Sequence, residues 1–192
     1  PRIHGGILAR RSDPEHMRQL ATQGIAPIDL VVVNLYPFAE TIARAGVTRA
    51  EAIESIDIGG PCLIRAAAKN FNDVVVVASK EEYPVLLDLL KKKEGFTDLK
   101  DRRDLARRAF KVSSNYDVAI FNYFNEGAAD LSFKYSIHRS DILRYGENPH
   151  QNGVFFGDFD RMFEKLGGKA ISYNNLVDLD AALVQKTAEE VA

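Results

Sequence analysis

The sequence predicts an α/β domain with a doubly wound parallel sheet, and two short stretches carry that prediction. Residues 27–34 (PIDLVVVN) and residues 73–78 (DVVVVA) are nearly continuous runs of β-branched side chains. Such runs are typical of strands that are buried on both faces, which occur mainly in parallel sheets. Helix signatures precede, separate and follow the two runs, and parallel strands need crossover helices of this kind.

Three capping signatures predict helices in this domain, each a Ser or Thr followed three residues later by Glu. They begin at Ser12, Thr48 and Ser79. We expect the first helix to stop at Gly24 and the second to reach about Ile56. The third should run through a leucine stripe to a group of three lysines.

A longer helical pattern starts at Asp98 and keeps apolar residues on one face for about 27 residues. That length is unusual for a globular helix. Two interpretations stay open, a break near residues 113–115 (SSN) or a continuous helix that carries a subunit interface.

Residues 55–70 (SIDIGGPCLIRAAAKN) contain two glycines and a proline ahead of a short Ala-rich helix. Pro61 suits the first helical turn, where its missing N–H costs nothing. The unsatisfied N–H groups and positive dipole end of this helix outline an anion site, with Asp57 at its edge. A Gly-Gly turn before a helix, without any ligand, explains the same residues.

The pattern changes after Gly127, and we expect a domain boundary near residues 128–138. A polar loop without periodicity covers residues 144–151. The other expected elements are a short alternating segment at 131–137, strands at 153–156 and 169–173, a helical turn at 161–166, and a helix from Val177 to the last residue.

Composition excludes several classes of function. A hydrophobic content of 46%, a charged content of 27% and a net charge of −2 describe an ordinary globular protein without the basic excess of a nucleic-acid binder. No apolar run approaches the roughly 20 residues that span a bilayer. The four histidines lack the spacing of metal ligands, and we expect the single cysteine, Cys62, to be a buried hydrophobe. A cytoplasmic, reducing location follows, with no nucleic-acid, membrane or metal partner for this segment.

Five residues have side chains suited to chemistry in this frame. Asn34 and Tyr36 follow the first strand, and ligands bind at the carboxyl ends of parallel strands. Tyr36 could donate a hydrogen bond or proton, or pack as a turn residue. Asp57 could act as an acceptor or base for a substrate, or simply hold a backbone amide of the turn. Arg65 and Lys69 are like charges on one helix face. An anionic ligand would explain this placement, and so would solvation of an exposed face.

Helix geometry limits how these residues combine. About 12 Å of helix rise separates Pro61 from Lys69. Asp57 and Lys69 therefore share a site only if that site is elongated or the lysine reaches back. The residues alone lead to an α/β domain with an anion-binding cleft.

Four motifs span nearly the whole chain: HGGILAR (4–10), NLYPF (34–38) with IDIGG…RAAAKN (56–70), LRYGENPHQ (143–151) and LGGKAISYNNLVDLDAA (166–182). In this order and spacing they resemble the bifunctional purine biosynthesis family. That family joins phosphoribosylaminoimidazolecarboxamide (AICAR) formyltransferase to IMP cyclohydrolase.

The resemblance implies two domains. Residues 1–136 would form a cyclohydrolase domain with a methylglyoxal-synthase-like fold, its N-terminal part missing. Residues 137–192 would begin a formyltransferase domain with a cytidine-deaminase-like α/β fold. The family's transferase moves a formyl group from 10-formyltetrahydrofolate to AICAR, and its cyclohydrolase closes formyl-AICAR to IMP with loss of water.

The resemblance also implies roles for individual residues, carried over motif by motif. Tyr36 and Lys69 resemble proton-transfer groups, and Asp57 resembles a group that orients the amide. Further residues resemble substrate contacts of the two activities; they are Val33, Asn34, Ile58 and Gly59 for the nucleotide of the cyclohydrolase, and Arg144, Tyr145 and their expected neighbour Asn175 for AICAR in the transferase.

We expect the chain to be an internal piece of such an enzyme, without transferase activity and with an impaired cyclohydrolase. The family implies a homodimer. The alternative is a non-catalytic nucleotide-binding or regulatory α/β module, and the transferase-like loop at residues 144–151 favours the enzyme.

Overall fold

A computed structural model describes residues 1–128, 132–137 and 139–191, with side chains described through residue 184. The chain divides into two compact units, Pro1–Lys134 and Tyr135–Ala192. Each unit is described by itself below.

The first unit surrounds two short strands with helices. Its helices are α1 (Arg2–Leu8), α2 (Pro14–Thr22), α3 (Phe38–Ile42), α4 (Arg49–Glu54), α5 (Gly59–Lys69), α6 (Tyr83–Lys92) and α7 (Leu99–Asn125), with a 3-10 turn at Lys80–Glu82. Its strands are β1 (Leu30–Val32) and β2 (Val75–Val77).

The two strands pair in parallel, which confirms the α/β prediction for this unit. Leu30 lies opposite Val75 and Val32 opposite Val77. The N–H of Val33 continues the ladder by donating to the carbonyl of Val77 at 3.0 Å. Burial on both faces holds for β2 only. In β1 Leu30 and Val32 are 41% and 45% exposed, so that prediction is wrong for the first strand.

The core of the unit lies on both sides of β2 because successive side chains point to opposite faces of a strand. Val76 packs in one cluster with Ile64 of α5, whereas Val77 packs in another with Leu86 and Leu105. Alanines of α5 and α7 face each other in the first cluster, and small side chains allow two helices to approach closely. The Ala-rich sequence of α5 is therefore a packing surface as well as a helix former.

The long helix α7 is continuous over 27 residues, which excludes the first of the two interpretations, a break near residues 113–115. A capping box of Asp98 and Asp101 starts the helix. The hydroxyl of Ser114 donates to the carbonyl of Lys111 at 3.1 Å, which satisfies this polar side chain on the helix itself.

Two helix starts differ from the prediction. The cap of α2 is Asp13, whose carboxylate accepts from the next two N–H groups, and not Ser12. Ser79 precedes a 3-10 turn without a side-chain cap, because the carboxylate of Glu82 turns inward to accept from the N–H of Ala78 at 3.5 Å. The Thr48 capping box is confirmed.

The first residues form a helix that the sequence did not predict. The buried side chain of Asn70 donates to the carbonyls of Ile7 and Ala9, at 2.8 and 3.1 Å. This contact between positions about 60 residues apart holds α1 against the end of α5, and it has no local sequence signal.

The second unit contains an antiparallel pair of strands and two helices. They are β3 (Ser140–Ile142), β4 (Val154–Phe156), α8 (Phe159–Met162) and α9 (Tyr173–Val191). The predicted strand at 169–173 is wrong: single backbone bonds join Ile171 to Arg144 and Tyr173 to Tyr145 before α9 begins. Residues 132–137 hold no regular structure, while Leu131 and Ala192 lie outside the described residues.

Candidate functional site

The segment after β1 presents two of the predicted site residues. The amide nitrogen of the Asn34 side chain donates to the hydroxyl of Tyr83, the first residue of α6, at 2.5 Å. The Tyr36 ring is 60% exposed, so it is not a packed turn residue. The buried aromatic ring of this segment is that of Phe38, two residues later. The backbone therefore turns so that one aromatic ring anchors the segment and the other faces solvent.

Asp57 links this segment to the start of α5. Its Oδ1 accepts from the N–H of Gly60 at 2.7 Å, and its Oδ2 accepts from the N–H of Tyr36 at 3.3 Å. Its own N–H donates to the hydroxyl of Tyr116 at 2.8 Å. We call these four residues, Tyr36, Asp57, Gly60 and Tyr116, the Asp57 junction. The junction brings together Tyr36 and Asp57, two of the residues predicted to be catalytic.

The anion site expected at the N-terminus of α5 is already occupied by a carboxylate of the chain. A helix N-terminus favours a negative charge, and here Asp57 supplies it. A phosphate beside Asp57 would meet like charge, so the junction favours a neutral, hydrogen-bonding group. Ile58 is 78% exposed and nothing lies within 4 Å of a Cβ built on Gly59, which leaves space in front of the helix.

Tyr116 of α7 supports this junction from behind, and the sequence analysis did not single it out. Its hydroxyl donates to the carbonyl of Ser55 at 3.0 Å while accepting from Asp57. Its ring meets the buried ring of Phe38 edge-on, with the centroids 6.2 Å apart. Burial raises the pKa of Tyr116 above its ordinary value, so the phenol stays protonated near neutral pH.

Lys69 lies at the other end of α5, away from the junction. About 15 Å of helix rise separates it from Gly59. It lines an open groove of about 520 Å³ together with residues of α7 and the turn after α5. The lining residues are Ala68, Lys69, Phe71, Asn72, Leu99, Arg103, Ala106, Arg107 and Phe110. The chain's own Lys69 is thus not brought to Asp57.

The surroundings of two other residues of α5, Cys62 and Arg65, are also defined. Cys62 is exposed, so the expectation of a buried cysteine is wrong. Its side chain faces solvent near the start of the helix. The guanidinium of Arg65 lies 5.8 Å from the centroid of the Phe110 ring, a cation–π contact that gives this residue a structural role.

The second unit brings together the residues predicted to bind AICAR. The guanidinium of Arg144 donates to the hydroxyl of Tyr145 at 3.2 Å and lies over that ring. Side-chain hydrogen bonds with Ser172 and Arg144 lower the pKa of Tyr145 below its ordinary value. Ser172 is fully buried, and its hydroxyl donates to the side chain of Asn175 at 2.9 Å. Ser172 therefore joins the three predicted residues, and we call these four the Arg144 cluster.

None of the helices in the described residues combines the length and apolarity needed to cross a bilayer. No three His, Cys, Asp or Glu side chains in the described part of the chain come together as a metal-binding group.

Comparisons with known proteins show which family the sequence matches. A family model described as AICARFT/IMPCHase bienzyme matches residues 67–191, and one described as MGS-like domain matches residues 2–62. Two similar relatives, both named bifunctional purine biosynthesis protein PurH, come from Bacteroides thetaiotaomicron and Bacillus subtilis. They are 52% and 45% identical over 95% of this chain, which spans 36% and 37% of their lengths.

A solved structure titled "Crystal structure of ForH" is similar to the same chain. It is 34% identical, covers 67% of this chain over 66% of its own length, and superposes with a TM-score of 0.58. The sequence resemblance is thus matched by the family models and by the named relatives. Because the bienzyme model covers residues 67–191, well over half of the sequence, the chain belongs to the AICARFT/IMPCHase bienzyme family.

Proposed function

We propose that this chain is part of a bifunctional enzyme for the last two steps of de novo purine biosynthesis. The first step transfers a formyl group from 10-formyltetrahydrofolate to AICAR, and the second closes formyl-AICAR to IMP with loss of water. The name of the relatives supports this, and the chain spans little more than a third of their length. We assign residues 1–136 to the cyclohydrolase and residues 137–192 to the beginning of the formyltransferase, near the division into compact units.

The observation that carries the cyclohydrolase proposal is the Asp57 junction. Ring closure needs the carboxamide nitrogen of the substrate to attack the formyl carbon, which forms a C–N bond and an oxyanion, followed by proton transfers and loss of water. The exposed phenol of Tyr36 is free to exchange a proton with the substrate. The Asp57 carboxylate lies next to it and can accept from the amide N–H, which would orient the nucleophile.

The nucleotide would lie across the end of β1 and the start of α5. Val33 and Asn34 leave the strand there, and Ile58 and Gly59 present an exposed surface in front of the helix. The carboxyl edge of a parallel sheet is the usual place for such ligands. We place the neutral base, not the phosphate, beside Asp57, because a carboxylate repels a phosphate.

The transferase proposal places AICAR at the Arg144 cluster. A guanidinium with a neighbouring phenol suits an anionic substrate, since arginine binds phosphate through paired donors. Asn175 would act as a neighbour of these two residues, held through Ser172. We further propose a cytoplasmic homodimer as the working form, as the resemblance implies.

The experiment that tests the cyclohydrolase is substitution of Lys69 in the full-length protein that contains this chain. We expect Lys69→Ala to abolish cyclisation of formyl-AICAR, measured by the absorbance of IMP, while IMP binding measured by calorimetry is mostly kept. Arg65→Ala is the matched control, because it removes a positive charge one turn earlier on the same helix. Unchanged turnover in Lys69→Ala would contradict a catalytic role. The lysine would then have only a favourable interaction with the helix dipole at the C-terminus of α5. IMP binding by a wild-type protein that cannot cyclise would favour a regulatory nucleotide-binding module.

A further inference from the structure

Tyr116 contacts both segments that meet at the Asp57 junction, although its helix, α7, is far from them in the sequence. Its hydroxyl holds the turn before α5, through the carbonyl of Ser55 and the N–H of Asp57. Its ring packs against Phe38, two residues after Tyr36. One side chain thus fixes the strand-end segment and the glycine turn relative to each other.

The direct contact between the two segments needs such support. The bond from the Tyr36 N–H to the Asp57 carboxylate is 3.3 Å long, beyond the usual range for this type of bond. The carboxylate also accepts from Gly60 at 2.7 Å, so a small rotation of the Asp57 backbone would move it away from Tyr36. The Tyr116 hydroxyl bonds the Asp57 N–H and so opposes that rotation.

Tyr116 is placed behind the site and not in it. The residue is half-buried within the bundle of α3, α5 and α7, and its hydroxyl has a donor and an acceptor from the chain. Both partners of the hydroxyl are backbone groups, and its single proton is already donated to Ser55, so it has no proton left to donate to a substrate.

We propose that Tyr116 is a positioning residue for ring closure, acting on Asp57 through its hydroxyl and on Tyr36 through Phe38. This inference rests on the proposed cyclohydrolase function. Loss of the hydroxyl frees the Asp57 backbone but leaves the surface of Asn34 and Ile58 in place. The variant should therefore lose turnover more than substrate binding, because misorientation affects the transition state most.

The test is Tyr116→Phe in the full-length protein, with Tyr123→Phe as the matched control. Tyr123 lies on the same helix and its ring also meets Phe38 edge-on, with the centroids 5.7 Å apart. We expect Tyr116→Phe to lower kcat about tenfold with KM changed less than about twofold, and Tyr123→Phe to change neither. A third variant, Leu86→Val, lowers stability from the opposite face of the sheet and shows whether destabilisation alone lowers kcat.

An unchanged kcat in Tyr116→Phe would overturn the proposal, and so would an equal loss in Tyr123→Phe or Leu86→Val. A wild-type protein without cyclisation would instead refute the proposed function. In that case the positioning role of Tyr116 is tested separately, by hydrogen exchange of the peptide that contains residues 55–60. Faster exchange in Tyr116→Phe than in Tyr123→Phe supports it, and equal exchange overturns it.

Discussion

Adjacent glycines at the start of α5 give a sharp test of the Asp57 junction. A Cβ on Gly60 would lie 2.6 Å from Oδ2 of Asp57 and 2.6 Å from Cδ2 of Leu35. A Cβ on Gly59 would have no neighbour within 4 Å. Alanine at each position therefore changes helix propensity equally, while only one of the two variants displaces the junction.

The magnitudes follow from these distances. Nonbonded atoms prefer separations of about 3.5–4.0 Å, so Gly60→Ala forces shifts of roughly 1 Å in two side chains. Overpacking of this kind costs about 1–3 kcal/mol. Weakening the hydrogen bond that the Gly60 N–H donates to the Asp57 carboxylate adds about 1 kcal/mol. The gain of about 0.5 kcal/mol from restricting the unfolded chain is common to both variants and cancels in their difference. The two variants should differ by about 3 kcal/mol.

Urea unfolding followed by circular dichroism measures this difference. Cyclisation provides the second readout, because Gly60→Ala pushes the Asp57 carboxylate from Tyr36 and should lower kcat, whereas Gly59→Ala should not affect the chemistry. Unfolding free energies within about 0.5 kcal/mol of each other would refute the close approach of Gly60 to Asp57.

Three further predictions concern titrating groups. Burial raises the pKa of Glu82 above its ordinary 4.5, so its contribution to stability is complete below pH 4.5 and is lost as the pH rises through the raised value. Glu82→Gln should therefore be more stable than wild type at pH 7 but not at pH 4, by urea unfolding. The Ser172 hydroxyl lowers the pKa of Tyr145, so Ser172→Ala should shift one phenol to higher pH in an ultraviolet titration. The Lys93 ammonium lowers the pKa of Asp98 from 3.8 to about 2, so its contribution to stability is present above pH 3.8 and lost as the pH falls through about 2. Lys93→Met should return that pKa toward 3.8, as measured by carboxyl NMR, and an unchanged value would exclude the ion pair.

The sequence predicted those parts of the fold that depend on local pattern. The valines of β2 are buried on both faces as expected, because helices cover each side of this strand. The similar run in β1 has one exposed face, since a β-branched pattern reports the capacity for burial and not the presence of a covering element. The break signal at residues 113–115 (SSN) failed because Ser114 bonds the backbone of its own helix and the small side chain of Ser113 is fully buried.

The site was predictable to the extent that its residues share a motif. Asp57 and the two glycines are close in sequence, so a turn before a helix was evident from them. Tyr116 was not, because it lies 59 positions from Asp57 and its spacing in α7 is that of a core residue. Ser172 was missed for a related reason, since a serine before a helix normally suggests only a cap, and here it also joins Asn175 to Tyr145.

The geometry of α5 has a consequence for the proposed mechanism. Asp57 is bonded to the first turn of the helix and Lys69 is its last residue, so the helix itself sets their separation. A continuous α-helix does not shorten, and a lysine side chain spans less than the roughly 15 Å involved. If both residues act on one substrate, either that substrate reaches along the helix or the Lys69 in question belongs to a second copy of the chain. The Asp57 carboxylate at the N-terminus and the exposed Tyr36 beside it point to the base end of the nucleotide. The proposed proton-transfer role of Lys69 therefore depends on assembly or substrate length, whereas the proposed roles of Tyr36 and Asp57 depend only on the junction.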